Sequence, residues 1–156
     1  MKLTSSEVKS LLHHREPYLL IDDVAEVIDN KIIVIKNHKG DEFYVKGHFP
    51  RASVVPGAML QEMSSQAAGI MITKFHSPVE NYNSDDTKGW ALGVLNKVEN
   101  AKYLGVVKPD KEIQIEVTLK ESLGTLFKFR SIITQDNSIK AKINFNLVNI
   151  SDEHLF

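Results

Sequence analysis

The sequence predicts one α+β domain in which an antiparallel sheet wraps around a single long helix. The chain has 156 residues and is 42% hydrophobic, which suffices for one buried core. One segment, after Pro56, carries apolar residues at three- and four-residue spacing, whereas most segments on either side of it are extended. Because the helix is apolar over a wide face, it can bury that face only if the sheet surrounds it.

The N-terminal segment predicts a short helix. Thr4 and Glu7 have the spacing of a capping box, in which each side chain binds the backbone of the other residue. Apolar residues, among them Val8 and Leu11, follow at helical intervals. Pro17 then ends any continuation of that helix.

Three extended segments are predicted next. Residues 18–27 and 31–37 are β-branched and apolar, and Asp29 and Asn30 supply turn chemistry between them, so we predict two paired strands. Residues 43–45 form a third, shorter extended piece that leads into a loop.

The long helix and the C-terminal strands complete the predicted fold. Pro56 suits the first helical turn because its missing N–H would have no partner there. Residues 76–89 are polar and turn-rich, which predicts a mobile surface loop. Beyond them the apolar period changes to two, and we predict strands over residues 90–97, 101–107, 113–119, 125–134 and 139–147.

Composition excludes several classes of function. Nineteen Lys and Arg against 20 Asp and Glu give a net charge of −1, so no dominant field attracts nucleic acid or an anionic membrane. The lack of cysteine excludes disulfides and fits a reducing compartment, so we expect a cytoplasmic protein. The apolar residues 56–75 are interrupted by polar side chains and predict a buried helix, not a membrane insertion. Adjacent His13 and His14 lack a third ligand, so no metal is expected.

Residues suited to chemistry cluster around the start of the long helix. The loop Gly47-His48-Phe49-Pro50 places a histidine shortly before it, and Gly57, expected at the second helical position, leaves a backbone N–H unshielded. Helix N-termini carry roughly half a positive charge, so an oxyanion or a thioester carbonyl can dock there. Glu62 lies within the helix and shares a face with Met59 and Gln66.

Three blocks of sequence carry a resemblance to a known family. They are residues 12–22 (LHHREPYLLID), residues 42–50 (EFYVKGHFP) and residues 56–67 (PGAMLQEMSSQA), with a weaker fourth block over residues 101–110. The first three resemble the L-P-H-R-x-P-F-L-L-x-D, E-x-F-F-x-G-H-F-P and P-G-V-L-x-x-E-A-x-A-Q-A motifs of the FabZ-type 3-hydroxyacyl-acyl-carrier-protein dehydratases. The separation of the histidine from the glutamate also matches that family.

The resemblance implies a hot-dog fold and a homodimer, often assembled into a trimer of dimers, whose sites take a histidine and a glutamate from different protomers. It assigns His48 as the base and Glu62 as the acid in dehydrating a 3-hydroxyacyl chain on acyl carrier protein, without a cofactor. The Gly57 N–H would stabilise the enolate-like oxygen. The residues expected to bind substrate or support the site are Tyr44, Phe49, Pro50, Val55, Pro56, Met59 and Gln66.

Other interpretations remain open at this point. An acyl thioesterase on the same fold would use Glu62 to activate water, although the histidine of the GHFP loop argues against it. A non-catalytic subunit that binds acyl carrier or acyl chains is suggested by residues 51–53 (RAS), where the family usually has Gly-x-Pro. Gln66 is expected either to orient Glu62 or to cap a polar pocket, and Met59 either to fill the core or to line an acyl tunnel.

Overall fold

The computed structural model describes residues 1–86 and 92–151 of the chain. Within them, the elements in chain order are α1 (Ser5–Leu11), β1 (Asp23–Ile28), β2 (Lys31–Asn37), α2 (Phe43–Lys46), α3 (Gly57–Met71), a π-helical turn (Ile72–His76), β3 (Leu92–Tyr103), β4 (Glu112–Leu123), β5 (Leu126–Gln135) and β6 (Ser138–Ile150). None of the helices in these two ranges combines the length and hydrophobicity that a bilayer crossing requires.

The described strands form one antiparallel sheet in the order β1-β2-β4-β5-β6-β3. Helix α3 packs against five of them, β2 to β6. Its side chains Met63, Ala67 and Ile70 are fully buried, as are Ile115 and Ile143 of the sheet. Burial of a large aliphatic side chain stabilises a fold by about 1.5–3 kcal/mol. The predicted α+β arrangement, with the sheet wrapped around one long helix, is therefore confirmed.

Two local predictions for the N-terminal part of the chain, the capping box of α1 and the bounds of β2, are confirmed. The Thr4 hydroxyl accepts the Glu7 N–H at 3.3 Å, and the Glu7 carboxylate accepts the Thr4 N–H at 2.7 Å, which completes the capping box of α1. Strand β2 has the predicted bounds, 31–37, and pairs with β1 across the Asp29–Asn30 turn.

Two predicted strand segments are wrong. Residues 43–45 belong to the short helix α2, which follows a turn in which the Glu42 carboxylate accepts the N–H groups of Lys39 and Gly40. Residues 18–22 lie outside β1. The side chain of Gln66 binds the backbone of Tyr18 and Leu20, whereas the Asp22 N–H donates to the Ile35 carbonyl of β2 at 3.1 Å. At Tyr18 and Leu20 a side chain thus satisfies backbone groups that a strand would pair, whereas in α2 the Glu42 carbonyl accepts the N–H groups of Val45 and Lys46.

The two predicted strands at 90–97 and 101–107 are one element in the structure. Strand β3 runs from Leu92 to Tyr103, with register shifts between Leu95 and Lys97 and between Val98 and Asn100 that interrupt the alternating pattern. Residues 104–107 lie beyond its end. The prediction for residues 90 and 91 falls outside the described residues.

The loop after the π-helical turn is anchored to the N-terminal region. Residues 77–86 contain no helix or strand, as predicted. Within this segment Ser84 donates its backbone N–H to the Ser10 carbonyl at 2.8 Å, and Asp85 pairs with Arg15 at 2.7 Å. The hydroxyl of Tyr82 makes a short hydrogen bond to His13. The remainder of the predicted loop, residues 87–89, is outside the described residues.

Candidate active site

His48 lies in the loop between α2 and α3 and is held by two backbone carbonyls. Its own N–H donates to the carbonyl of Val45 at 3.0 Å, and its ring Nδ1 lies 2.9 Å from the carbonyl oxygen of Val54. A carbonyl oxygen only accepts, so Nδ1 must carry the hydrogen. In the neutral ring, Nε2 then carries no hydrogen and has a lone pair that can accept one. The loop therefore presents His48 as a proton acceptor at Nε2.

The backbone of the loop turns directly after His48, where Phe49 has an unusual conformation. Its φ angle is 59°, in a region that bulky residues rarely occupy. The Phe49 carbonyl accepts the N–H of Ala52 at 2.8 Å and faces the Ser53 hydroxyl at 3.5 Å. The Phe49 ring packs 4.3 Å from the His48 ring, and both Phe49 and Pro50 are exposed. Residues 51–53, which depart from the family pattern, thus still close the loop.

Helix α3 begins at Gly57, with Pro56 as its N-cap, so Gly57 occupies the first helical position and not the second. The residue before Pro56, Val55, is buried and donates its N–H to the Val107 carbonyl at 3.0 Å. A Cβ atom on Gly57 would lie 2.9 Å from Cε1 of Tyr103. Among the described residues, the Gly57 N–H has no acceptor, so it is free to bind a ligand oxygen.

Glu62 lies on α3 beside Gln66, one helical turn later. The buried Gln66 side chain accepts the Leu20 N–H at 2.9 Å through Oε1, which fixes the orientation of its amide. Its Nε2 donates to the Tyr18 carbonyl at 2.8 Å and to Oε1 of Glu62 at 3.0 Å. Gln66 therefore holds one oxygen of the carboxyl group in place. The Glu62 side chain is 25% exposed, less buried than the helix pattern predicted.

A cavity of about 230 Å³ opens beside Glu62. Its polar wall includes His14, whose Nε2 lies 3.6 Å from Oε1 of Glu62. Burial lowers the pKa of His14, and the Glu62 carboxylate opposes part of that effect. The remaining lining residues are Leu12, His13, Ser65, Gln66, Gly69, Gly93, Val94 and Leu95. Periodicity and spacing did not single out His14; the signal available was its place in the first block of the resemblance.

The chain does not bring His48 and Glu62 together. His48 is not among the lining residues of the Glu62 cavity, and no hydrogen bond or ion pair joins the two within residues 1–86 and 92–151. Tyr44 lies apart from both. It is buried, it lines a different cavity, and burial raises the pKa of its hydroxyl. Met59 packs half-buried against the core. His48 and Glu62 therefore lie in two separate parts of the structure.

The Glu62 cavity opens at an edge of the sheet. Strand β3 pairs only with β6 among the described strands, and it exposes several apolar side chains. Val94 and Leu95, which line the cavity, are 44% and 43% exposed, and Val98 is 42% exposed. The opposite edge, β1, is covered by the N-terminus, since Leu3 bridges to Val24. Among the described strands, β3 alone offers an unpaired apolar edge, a feature that soluble proteins usually cover.

A model of the FabA-like domain matches residues 12–144 of the chain. The chain belongs to the FabA-like domain family. Within it, the FabZ 3-hydroxyacyl-[acyl-carrier-protein] dehydratase of Rickettsia bellii is 32% identical over 146 residues, which cover 93% of this chain and 94% of that protein. The enzyme of the same name from Bacillus cytotoxicus is 30% identical over 148 residues, covering 93% and 96%. The resemblance to FabZ-type dehydratases is thereby confirmed.

Solved structures similar to this FabA-like chain agree on its fold. A dehydratase heterocomplex, ApeI:P from Xenorhabdus doucetiae, matches with a TM-score of 0.76 and 18% identity, covering 95% of this chain and 93% of that one. Thioesterase superfamily member 2 from Mus musculus matches with a TM-score of 0.59 and 12% identity, covering 80% and 79%. At these identities the likeness shows the fold alone, and it confirms the hot-dog fold.

The described part of the FabA-like chain contains no group of three or more His, Asp or Glu side chains that could hold a metal ion. The polar groups that it does present are a histidine with a free Nε2, a carboxyl group held at one oxygen, and an unpaired backbone N–H at a helix start. Such a set can accept a proton, donate a proton and bind an oxyanion.

Proposed function

We propose that this protein removes water from a 3-hydroxyacyl thioester carried on acyl carrier protein and gives the trans-2-enoyl thioester. Membership of the FabA-like family and the names of the FabZ relatives support this reaction. The observation that carries the assignment to residues is the contact of His48 Nδ1 with the Val54 carbonyl at 2.9 Å. This contact leaves Nε2 of His48 available as the base. Dehydration requires such a base to remove a proton from the carbon next to the thioester.

In the proposed reaction, Nε2 of His48 takes a proton from C2 of the substrate. The electron pair forms the C2–C3 double bond while the C3–O bond breaks, and Glu62 gives its proton to the departing hydroxyl, which leaves as water. Proton transfer from histidine back to glutamate through solvent restores the starting state. Positioned acid–base catalysis of this kind contributes about 10²- to 10⁴-fold.

The Gly57 N–H is proposed to bind the thioester oxygen as negative charge develops there. It stands at the first position of α3, a 15-residue helix, where the helix dipole adds partial positive charge. In other enzymes, loss of one donor to a developing oxyanion costs about 2.7–4 kcal/mol. Phe49, Pro50, Val55 and Pro56 would support this end of the site, because they build the loop and the helix start.

We further propose that a complete site needs two copies of the chain, with His48 from one protomer facing Glu62 of its partner. The two residues belong to separate surfaces within one chain, and the Glu62 cavity lies at the exposed apolar edge of β3. A second copy that covers this edge would bury Val94 and Leu95 and close the cavity. The homodimer can assemble further into a trimer of dimers, as the resemblance implies.

Acyl carrier protein is the proposed macromolecular partner, and the cytoplasm the proposed compartment. The FabZ relatives are named for acyl-carrier substrates. The side chains of Lys97, Lys102 and Lys108 are exposed on or near β3 and offer positive charge to an acidic carrier surface. The lack of cysteine in the chain fits a reducing compartment.

The test follows the mass of a carrier-bound 3-hydroxyacyl substrate incubated with wild type, His48→Ala and Glu62→Gln. We expect the wild type to remove one water and each variant to lose at least about a hundredfold in rate, because each lacks one of the two proton-transfer groups. Glu80→Gln, an exposed carboxyl change on the loop after α3, is the control and should match wild type. Free carrier thiol would instead indicate a thioesterase, and binding with unchanged mass would indicate a non-catalytic subunit.

A further inference from the structure

We propose that His14 is a positioning residue for the Glu62 carboxyl group, and that it leaves Oε2 of Glu62 as the oxygen that exchanges a proton with substrate. The inference rests on the proposed function, because it takes Glu62 to be the acid. It is drawn from the atoms that face each carboxyl oxygen, from the unpartnered ring nitrogen of His14 and from the contacts that fix its ring.

Both donors at the carboxyl group face the same oxygen. Gln66 Nε2 lies 3.0 Å from Oε1 of Glu62, and His14 Nε2 lies 3.6 Å from it. Within the described residues, Oε2 has no such contact. A protonated carboxyl group accepts hydrogen bonds at its carbonyl oxygen and donates from its hydroxyl. With donors at Oε1, the hydroxyl is Oε2. The His14 contact is longer than a hydrogen bond, and such catalytic contacts often shorten only when substrate binds.

The hydrogen of the neutral His14 ring belongs on Nε2. The other nitrogen, Nδ1, is buried and has no hydrogen-bond partner within residues 1–86 and 92–151. A hydrogen there would be an unpaired donor, whereas on Nε2 it faces the Glu62 oxygen. Burial lowers the pKa of His14, and the neighbouring His13 and Arg15 lower it further against the opposing effect of Glu62. The ring is therefore a neutral donor near neutral pH.

The position of His14 is set by the backbone and by an aromatic stack. Its ring stacks on Tyr18, with centroids 6.2 Å apart and planes 19° from parallel. The Tyr18 carbonyl accepts the Gln66 amide at 2.8 Å, so the segment that carries His14 is attached to α3 one turn from Glu62. Tyr18 also stacks on Phe43 at 6.1 Å. The imidazole thus approaches the carboxyl group from a fixed side.

Three substitutions of His14 distinguish the effect of its hydrogen-bond donor from the effect of its aromatic ring. A Gln side chain places its amide nitrogen near the former Nε2, an Asn side chain near the former Nδ1, and Phe keeps the stack without a nitrogen. We expect His14→Phe and His14→Asn to lower kcat by up to about tenfold, the cost of one lost hydrogen bond, with KM within about twofold. His14→Gln should retain most of kcat. The Phe variant should also shift the pH profile of kcat. In Glu62→Gln, adding His14→Phe should cost nothing more.

A His14→Phe variant with the kcat and pH profile of wild type would overturn the inference, and so would His14→Gln falling as far as His14→Phe. A resting-state measurement keeps the test independent of turnover. In NMR spectra of the resting protein, Glu62→Ala should shift the imidazole signals of His14, because the carboxyl oxygen that faces Nε2 is gone. Unchanged His14 signals would refute the contact. A wild-type protein that dehydrates no substrate would refute the proposed function and leave the NMR spectra to decide on the contact.

Discussion

At the start of α3, a single aromatic ring decides which residue can occupy the first helical position. The position that a Cβ would take on Gly57 lies 2.9 Å from Cε1 and 3.2 Å from Cδ1 of Tyr103. Real Cβ atoms do not approach other atoms so closely. Glycine is therefore required here by the neighbouring ring. Tyr103 is itself 52% exposed, so this contact lies at the surface of the protein.

Gly57→Ala should consequently reduce activity even though it keeps the backbone N–H. The new methyl group would displace either the Tyr103 ring or the helix start, at a cost of about 1–3 kcal/mol, and we expect kcat/KM to fall about tenfold. Adding Tyr103→Leu removes the colliding atoms and should restore most of the loss. Steady-state kinetics of the two single variants and the double variant provide the check; equal losses in Gly57→Ala and in the double variant would show that the ring is not responsible.

The residues of the site differ in how far sequence could predict them. His48, Gly57 and Glu62 stand in motifs of the resemblance, and the structure gives them suitable geometry. The motifs could not predict that His14 lies beside Glu62 or that Tyr103 lies beside Gly57. His14 lies beside Glu62 in a segment that Gln66, from another part of the chain, attaches to α3 through Tyr18 and Leu20. Such contacts depend on tertiary packing, which local patterns do not encode.

Among the described strands, β3 stands out by its pairing and by the exposure of its side chains. It pairs on one side only among the described strands, and its exposed apolar side chains include Val94, Leu95 and Val98. The central strands β4 and β5 instead bury alternate residues, β4 in its first half and β5 along its whole length. A strand with an unpaired side and an apolar exposed surface is a template for pairing with another chain.

A charge on β3 should therefore separate the proposed protomers. We expect Val98→Asp to give a monomer by light scattering and to lose at least about a hundredfold in activity, because an unpaired buried carboxylate disfavours the interface. Ile28→Asp is the matched control: Ile28 is 41% exposed on β1, and Val98 is 42% exposed on β3. If Val98→Asp remains a fully active dimer with unchanged circular dichroism, the interface lies elsewhere.

Element predictions from periodicity succeeded where burial alone sets the pattern and failed where polar side chains intervene. The spacing of apolar residues predicted α3 and the bounds of β2, since both bury one continuous face. It extended β1 too far, to residues 18–22, where Gln66 of α3 binds the backbone of Tyr18 and Leu20. The sequence of residues 18–22 alone does not show that its hydrogen-bond partner is a side chain.

For the whole molecule, the central question is whether one chain holds a complete site. A hybrid dimer of one His48→Ala chain and one Glu62→Gln chain tests this directly. If the pair is shared between protomers, one of the two sites keeps both residues, and the hybrid should recover about half of the wild-type rate. The hybrid is isolated through two different affinity tags, with a doubly tagged His48→Ala dimer as the inactive control. A hybrid as inactive as its parents would place both residues in one chain.

The N-terminal cover over β1 has a consequence for how far assembly by strand pairing can proceed. The Met1 carbonyl accepts the Val27 N–H at 2.8 Å, and Leu3 bridges to Val24, so this edge is already occupied. A sheet edge that is left free can pair with a further chain, and two free edges would allow such pairing to continue as a ribbon. We therefore expect a variant that lacks the first three residues to self-associate further than the unaltered chain does.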